Sequence, residues 1–239
     1  MTKDCSVIQG EIEKFDHLSN DWWKYKGSFD ALHRINPIRI KYITDNIHEQ
    51  VGTSTNQIRL LDAGCGGGIA SMPFARQGMK VTGLDASNKA IEIARTFARQ
   101  KNISANFMHE SIEEHAKNSN KYEVIICLEM LEHTDKPEMV IQNLVSMLDT
   151  NGIIFLSTIN RTPKAKLFAI HLAENILGMV PKNTHEYEKF IKPNELKAML
   201  EKYGVVQHNF RGITFNPIKR QWILSDDLLV NYISYSSTV

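Results

Sequence analysis

Four glycines within five residues, Gly64, Gly66, Gly67 and Gly68, close the apolar run of Ile58, Leu60 and Leu61 and constrain this chain more than any other feature. Residues Ile69 to Arg76 then carry a helical pattern, and Asp85 follows Gly64 by 21 residues, at the end of Val81-Thr82-Gly83-Leu84. A strand, a tight turn, a helix and a second strand ending in an acid make a nucleotide-binding βαβ unit. Glycines let the backbone approach a ligand that any Cβ would block, and the acid accepts hydrogen bonds from a ribose diol. The spacing departs from G-x-G-x-x-G, because the third glycine position holds Ile69 counted from Gly64 and Ser71 counted from Gly66. Asp62, just ahead of the turn, would repel a pyrophosphate but attract the sulfonium and amino charges of S-adenosylmethionine. The pattern therefore favours S-adenosylmethionine over NAD or FAD.

A chain of 239 residues has room for one α/β domain with a cap and an insertion, so residues 1–239 read as a single domain. With 28 basic and 27 acidic side chains, it lacks the excess charge that nonspecific nucleic-acid binding needs, and no nucleic-acid partner is expected. Its three cysteines, Cys5, Cys65 and Cys127, form no C-x-x-C pair, which fits a reducing compartment. The early acids Asp4, Glu11 and Glu13 resemble neither a secretory signal nor a transit peptide, and the expected address is a bacterial cytoplasm.

Beyond residue 57 strand and helix patterns alternate, as in a mostly parallel, doubly wound sheet with helices on both faces. Strands are expected at 58–63, 80–85, 105–108, 122–128 and 152–158, and helices at 68–77, 87–101, 112–117 and 137–148, with Ser87 and Asp135 as start signals. Segments 205–213 and 229–236 suit an antiparallel edge pair. Residues 11–50 read as a helical cap over the carboxyl edge of the sheet, and 160–192 as an insertion after the fifth strand.

Ligands of such sheets sit outside the carboxyl ends of the strands, which places Leu128-Glu129-Met130-Leu131-Glu132-His133 beside the cofactor. Two acids and an imidazole at a buried strand end suit either divalent-metal binding, with a catechol oxygen completing the shell of Mg²⁺, or general-base work by His133. They also suit plain solvation of a loop. Near the N-terminus an arginine in the stretch ending at Arg39 can clamp a methionine carboxylate, while Trp22 and Trp23 either wall an aromatic substrate or pack on the core. In the insertion, 167–180 is too short to span a bilayer, and the lysines Lys164, Lys166 and Lys182 flank it. It reads as an interfacial or pocket helix, or as core packing. His185 follows in a polar, aromatic loop.

Taken together, Trp22-Trp23, His33-Arg34-Ile35-Asn36-Pro37, the glycine stretch, Glu129 to His133, Ser157-Thr158-Ile159-Asn160-Arg161, Lys189-Phe190-Ile191-Lys192-Pro193, Asn216-Pro217 and Val230-Asn231-Tyr232 resemble the ubiquinone-biosynthesis O-methyltransferase family. That family belongs to the class I methyltransferases and methylates polyprenylated catechols and quinols. The resemblance implies a Rossmann-like α/β fold and S-adenosylmethionine contacts at Arg39, Gly64, Asp85 and Leu128. It also implies a catalytic and Mg²⁺ site at Glu129, Glu132 and His133, peripheral membrane contact through 164–182 on the inner face of the cytoplasmic membrane, and other enzymes of the pathway as partners. Ala63 and Leu128 stand where the family usually has valine and frequently has methionine. A methyltransferase for another small phenol, or a membrane-docked scaffold that binds the cofactor without turnover, are the alternatives.

Overall fold

The computed structural model describes residues 5–51, 55–167 and 187–238. One eight-stranded sheet runs through them in the order β3-β2-β1-β4-β5-β8-β6-β7. Its parallel part comprises β1 (Arg59–Ala63), β2 (Lys80–Asp85), β3 (Asn106–His109), β4 (Tyr122–Leu128) and β5 (Leu148–Ile159). Strand order reverses between β1 and β4, and this switch point opens the crevice in which ligands of open α/β sheets bind. β8 (Asn231–Thr238), β6 (Val205–Asn216) and β7 (Gln221–Ser225) extend the sheet antiparallel from β5.

Strand composition follows position. Four consecutive residues of β1 are buried, as expected of a strand covered on both faces. Leu60, Val124, Ile126 and Phe155 face Ile43 and Ile47 of α2 (Asp30–Val51), whereas Leu61, Ile125, Ile154 and Leu156 face α6 (Pro137–Ser146) and α7 (Pro193–Lys202). Between β2 and β3, α4 (Asn88–Gln100) buries Ala90, Ile91, Ala94 and Ala98 on one stripe, and the Ser87 hydroxyl caps it by accepting from the Ala90 N–H. Ser111 and Glu114 cap α5 (Ile112–Ala116) reciprocally.

Several sequence expectations need correction. The helix after the glycine turn, α3, covers only Ser71–Arg76, because Gly68 at φ +82° still belongs to the turn. Asp135 does not cap α6: the residue before it is Lys136, without a side-chain cap bond, and Pro137 at the first helical position sets the start. The expected edge pair is present as β6 and β8, but β7 was not expected. Of the segment expected as a cap over the carboxyl edge, α1 (Gln9–Leu18) lies at that edge and leads through a turn at Ser19–Asp21 into α2, whose Ile43 and Ile47 pack on a face of the sheet instead. Of the insertion, 168–186 lies outside the described residues, and with it most of the 167–180 helix and His185. Among the described residues no helix is long and apolar enough to cross a membrane.

Tyr232 is fully buried, and its hydroxyl donates to the Ile191 carbonyl at 2.9 Å, tying β8 to the approach of α7. Tyr232→Phe should cost about 1–2 kcal/mol by leaving that carbonyl unpaired, read as a lower urea midpoint at unchanged slope.

Candidate active site

At the end of β1 the chain turns back through Gly64, Gly66 and Gly68, with φ of +75°, +52° and +82°. The N–H groups of Gly64 and Cys65 both donate to the Leu84 carbonyl at 2.8 Å, lacing the turn to β2. Asp85 continues the seam: its carboxylate accepts from the N–H of Gly66 and from that of Ser87, each at 2.8 Å. Trp22 covers the turn closely enough that a Cβ on Gly66 or Gly67 would enter its indole ring, and a Cβ on Gly64 would lie 2.5 Å from Met130 Cγ. Trp22 stacks on Phe29 at 3.7 Å between ring centroids. Trp23 stacks on Phe97 at 3.5 Å and donates from Nε1 to the Gly67 carbonyl. The tryptophan pair is thus chiefly packing for the cofactor turn, with Trp22 also on the cavity wall.

Above the switch point lies a cavity of about 190 Å³, walled by the glycine turn, the ends of β2 and β4, α1 and residues 6–8. It brings Arg39, Asp62, Gly64, Asp85, Leu128, Glu129 and His133 to one space. Glu132 stands apart from them, buried behind the wall, where its Oε2 accepts from Thr158 of β5 at 2.8 Å.

Charge is concentrated here. Arg39 is 3% exposed, and its Nε and Nη1 have no hydrogen-bond partner. Burial pulls its guanidinium below the ordinary value, opposed by the charges of Glu129, Asp62 and Glu132. Burial also pushes the Asp62 carboxyl up to about 6, against the Ser71 hydroxyl that donates to it at 2.5 Å and the charge of Arg39. Asp85 is raised by burial as well, and the N–H groups of Ser87 and Gly66 hold it back. Glu129 sits at φ +54°, a backbone region costly for a non-glycine residue. Its side chain accepts from Ser157 at 2.9 Å and lies 3.8 Å from Arg39. Burial, reinforced by Glu129, raises Glu132 to about 7, and its Oε1 has no partner.

His133 sits in the turn Leu131–His133 after β4. Its Nδ1 lies 2.9 Å from Glu11 Oε2, and the edge of Phe15 packs against the ring at 5.2 Å. Glu11 is 9% exposed; burial works against its ionisation, yet hydrogen bonds from His133 and Lys14 hold it at about 2. The oxygen donors of Glu129 and Glu132 suit Mg²⁺ chemically, but as placed they turn to Ser157 and Thr158, and the Arg39 cation occupies the vicinity of Glu129. Among the described residues no three His, Cys, Asp or Glu side chains are gathered to hold a metal ion, so the expected three-ligand shell is not assembled.

Glu11 was missed in the sequence because its partner lies 122 positions away. The strap of residues 6–8 was missed too: the Ser6 N–H donates to buried Glu113, and the Ser6 carbonyl accepts from the Asp135 N–H. The bond from Ser71 to Asp62, nine residues apart across the turn, was likewise not read from the sequence.

A family model described as a methyltransferase domain matches residues 31–207. The ubiquinone biosynthesis O-methyltransferase of Rickettsia akari is 43% identical over 227 residues, covering 95% of this chain and 90% of that protein. The enzyme of the same name from Rickettsia typhi is 43% identical over 230 residues, covering 96% and 93%. Among solved structures, magnesium protoporphyrin IX methyltransferase from Synechocystis with bound SAH superposes with a TM-score of 0.67 at 19% identity, covering 97% of this chain and 95% of that one. The plantazolicin methyltransferase with SAH gives 0.65 at 15% identity, covering 97% and 99%. These two structures share the Rossmann-like class I methyltransferase fold.

Gly204 offers a control for the crowding at the turn, since it has φ +77° but nothing within 4 Å of an added Cβ. Gly204→Ala should cost about 1 kcal/mol for the left-handed backbone. Gly66→Ala should add about 1–3 kcal/mol for displacing Trp22. Urea unfolding measures the difference, and tryptophan fluorescence should shift only in the second variant.

Proposed function

The chain belongs to the ubiquinone biosynthesis O-methyltransferase family and is an S-adenosylmethionine-dependent O-methyltransferase, and we propose that its acceptors are the polyprenylated catechols 2-polyprenyl-6-hydroxyphenol and 3-demethylubiquinol. The observation that carries the reading is the single cavity in which an acid for a ribose, a buried cation, a buried anion and a carboxylate-held imidazole meet. S-adenosylmethionine supplies an electrophilic methyl group on a sulfonium.

Each residue has a separate task. Asp85 accepts from the ribose hydroxyls, and the bare backbone of Gly64 admits the chain of the cofactor. Arg39 meets the methionine carboxylate with Nε and Nη1, which make no hydrogen bond in the fold, and Asp62 meets the ammonium. Leu128 packs on the adenine side. His133, oriented through Nδ1 by Glu11, takes the proton of the catechol hydroxyl as the oxygen–carbon bond forms and the carbon–sulfur bond breaks. The products are the methyl ether, S-adenosylhomocysteine and a proton that leaves the imidazole for solvent. Glu129 lines the cavity beside this step, and through Ser157 and Thr158 the two acids Glu129 and Glu132 hold the strand end to β5.

A second reading is carried by Glu132 Oε1, buried without a partner next to Glu129. In it Glu129, Glu132 and His133 would hold Mg²⁺, which would favour loss of the catechol proton. The proposal also takes the 164–182 segment as a peripheral contact with the inner face of the cytoplasmic membrane, and other enzymes of the pathway as partners. Exposed Lys164, Lys166 and Leu167 support the contact.

Methyl transfer from labelled cofactor to a prenylated catechol tests the function. Transfer is expected, with His133→Ala lowering kcat by about 10²-fold or more at unchanged S-adenosylhomocysteine affinity. No transfer to a catechol, or better transfer to an unrelated phenol, would refute it. Turnover that persists in chelator assigns deprotonation to His133, and turnover lost in chelator but restored by Mg²⁺ assigns it to the second reading.

Asp62 gives the pH dependence. Its folded value of about 6 exceeds the ordinary 3.8, so it favours the unliganded fold below 3.8 and that contribution is lost as pH rises through about 6. Cofactor binding runs the other way, because an ammonium needs the ionised carboxylate. Affinity for S-adenosylhomocysteine should weaken as pH falls through about 6, and Asp62→Asn should flatten that limb in calorimetry.

A further inference from the structure

α1 lies along the cofactor cavity with little apolar core of its own, and its one buried side chain is the acid Glu11. Toward its C-terminal end Phe15 and Leu18 pack on the cluster of Trp22 and Phe29, and Asp16 accepts from the Ser87 hydroxyl at the start of α4. Toward and ahead of its N-terminal end, Val7, Ile8 and Ile12 join none of the hydrophobic clusters. They are half-buried and line the cavity.

Polar fastenings hold that end instead. The strap of residues 5–8 runs from α5, which follows β3, to the loop ahead of α6, which follows β4. On one side the Ser6 N–H donates to Glu113 Oε1 at 3.1 Å. On the other the Ser6 carbonyl accepts from the Asp135 N–H at 3.2 Å, and the Cys5 carbonyl accepts from Lys136 Nζ at 3.4 Å. Glu113 is 7% exposed, and its Oε2 has no hydrogen-bond partner. In the first turn of α1, Glu11 meets His133 Nδ1. Bonds of this kind exchange for bonds to water at small net cost, whereas buried apolar area does not.

We propose that the strap and α1 form a latch, hinged where Phe15 and Leu18 pack, that lifts to exchange cofactor, closes on it, and in closing carries Glu11 to His133. Bound cofactor favours the closed position because it buries Val7, Ile8 and Ile12, which a lifted strap leaves in water. The imidazole is then oriented with the methyl donor in place, and release of S-adenosylhomocysteine needs the latch to open. Glu113 acts through the strap and is a positioning residue. The inference rests on the reading of His133 as the base, but its first readout does not depend on turnover.

Amide hydrogen exchange of the full chain, with and without S-adenosylhomocysteine, tests it. Exchange over residues 6–16 should slow about tenfold with the ligand, and exchange in α6 should not change. Glu113→Ala should remove much of that protection and speed S-adenosylhomocysteine dissociation about tenfold. Lys136→Met, at a residue outside the cavity wall, should act in the same direction, and Glu113→Gln, which keeps an acceptor for the Ser6 N–H, should lose less than Glu113→Ala. Single-turnover methyl transfer from saturating cofactor should slow in Glu113→Ala and Lys136→Met while KM for the catechol holds, a split that general loosening of the fold would not give. Exchange over 6–16 indifferent to the ligand, wild-type dissociation in both variants, or single turnover at the wild-type rate in both would overturn the proposal. Ligand protection and faster dissociation in the variants, while no catechol is methylated even by wild-type protein, would keep the latch and remove the acceptor reading.

Discussion

The site depends on one carboxylate with two backbone bonds. Asp85 receives the N–H of Gly66 from the turn after β1 and the N–H of Ser87 from the start of α4. It thereby fixes the distance between the glycine turn and the helix that follows β2. Without that clamp the left-handed turn would keep its bonds to the Leu84 carbonyl and the Trp23 indole but lose its tie to the start of α4, and Trp22 would lose the flat backbone on which it rests. An acid committed to two N–H donors still has lone pairs to offer a ribose, so one group both builds the cradle and reads the ligand.

Around that clamp the chain buries more charge than its fold needs. Arg39, Asp62, Glu129 and Glu132 compensate one another imperfectly: two Arg39 nitrogens and Glu132 Oε1 make no hydrogen bond, and burial raises Asp62 and Glu132. Unpaired buried groups cost stability, and they are tolerated where a ligand of matching charge repays them. A zwitterionic methionine end meets that requirement at Arg39 and Asp62. Glu11 and His133 form the complementary case, a pair satisfied within the fold and so oriented before any ligand arrives.

Much of this was legible in the sequence, for physical reasons. The turn and Asp85 could be read because their geometry demands glycine and an acid at fixed spacing, and Ser87 because helix caps are local. Parallel strands could be read as buried runs. The start of α6 was misjudged because Pro137 overrides the acid ahead of it, and β7 was missed because its half-buried residues show no alternation. Contacts between distant segments left no trace: Glu11 on His133 and Ser6 on Glu113 are products of the tertiary fold alone. Among the described residues the expected three-ligand set is not gathered as placed, for a related reason. Proximity in sequence put Glu129, Glu132 and His133 together, but a strand end and a tight turn direct them to β5 and to α1 instead.

Calorimetric titration of S-adenosylhomocysteine into wild-type protein and Asp85→Ala tests the central claim most directly. The loss of charge-assisted bonds should weaken binding by about 1.5–3 kcal/mol, roughly tenfold to a hundredfold, in a protein that still unfolds cooperatively. Unchanged affinity in a folded Asp85→Ala protein would contradict the placement of the cofactor on which every other assignment rests.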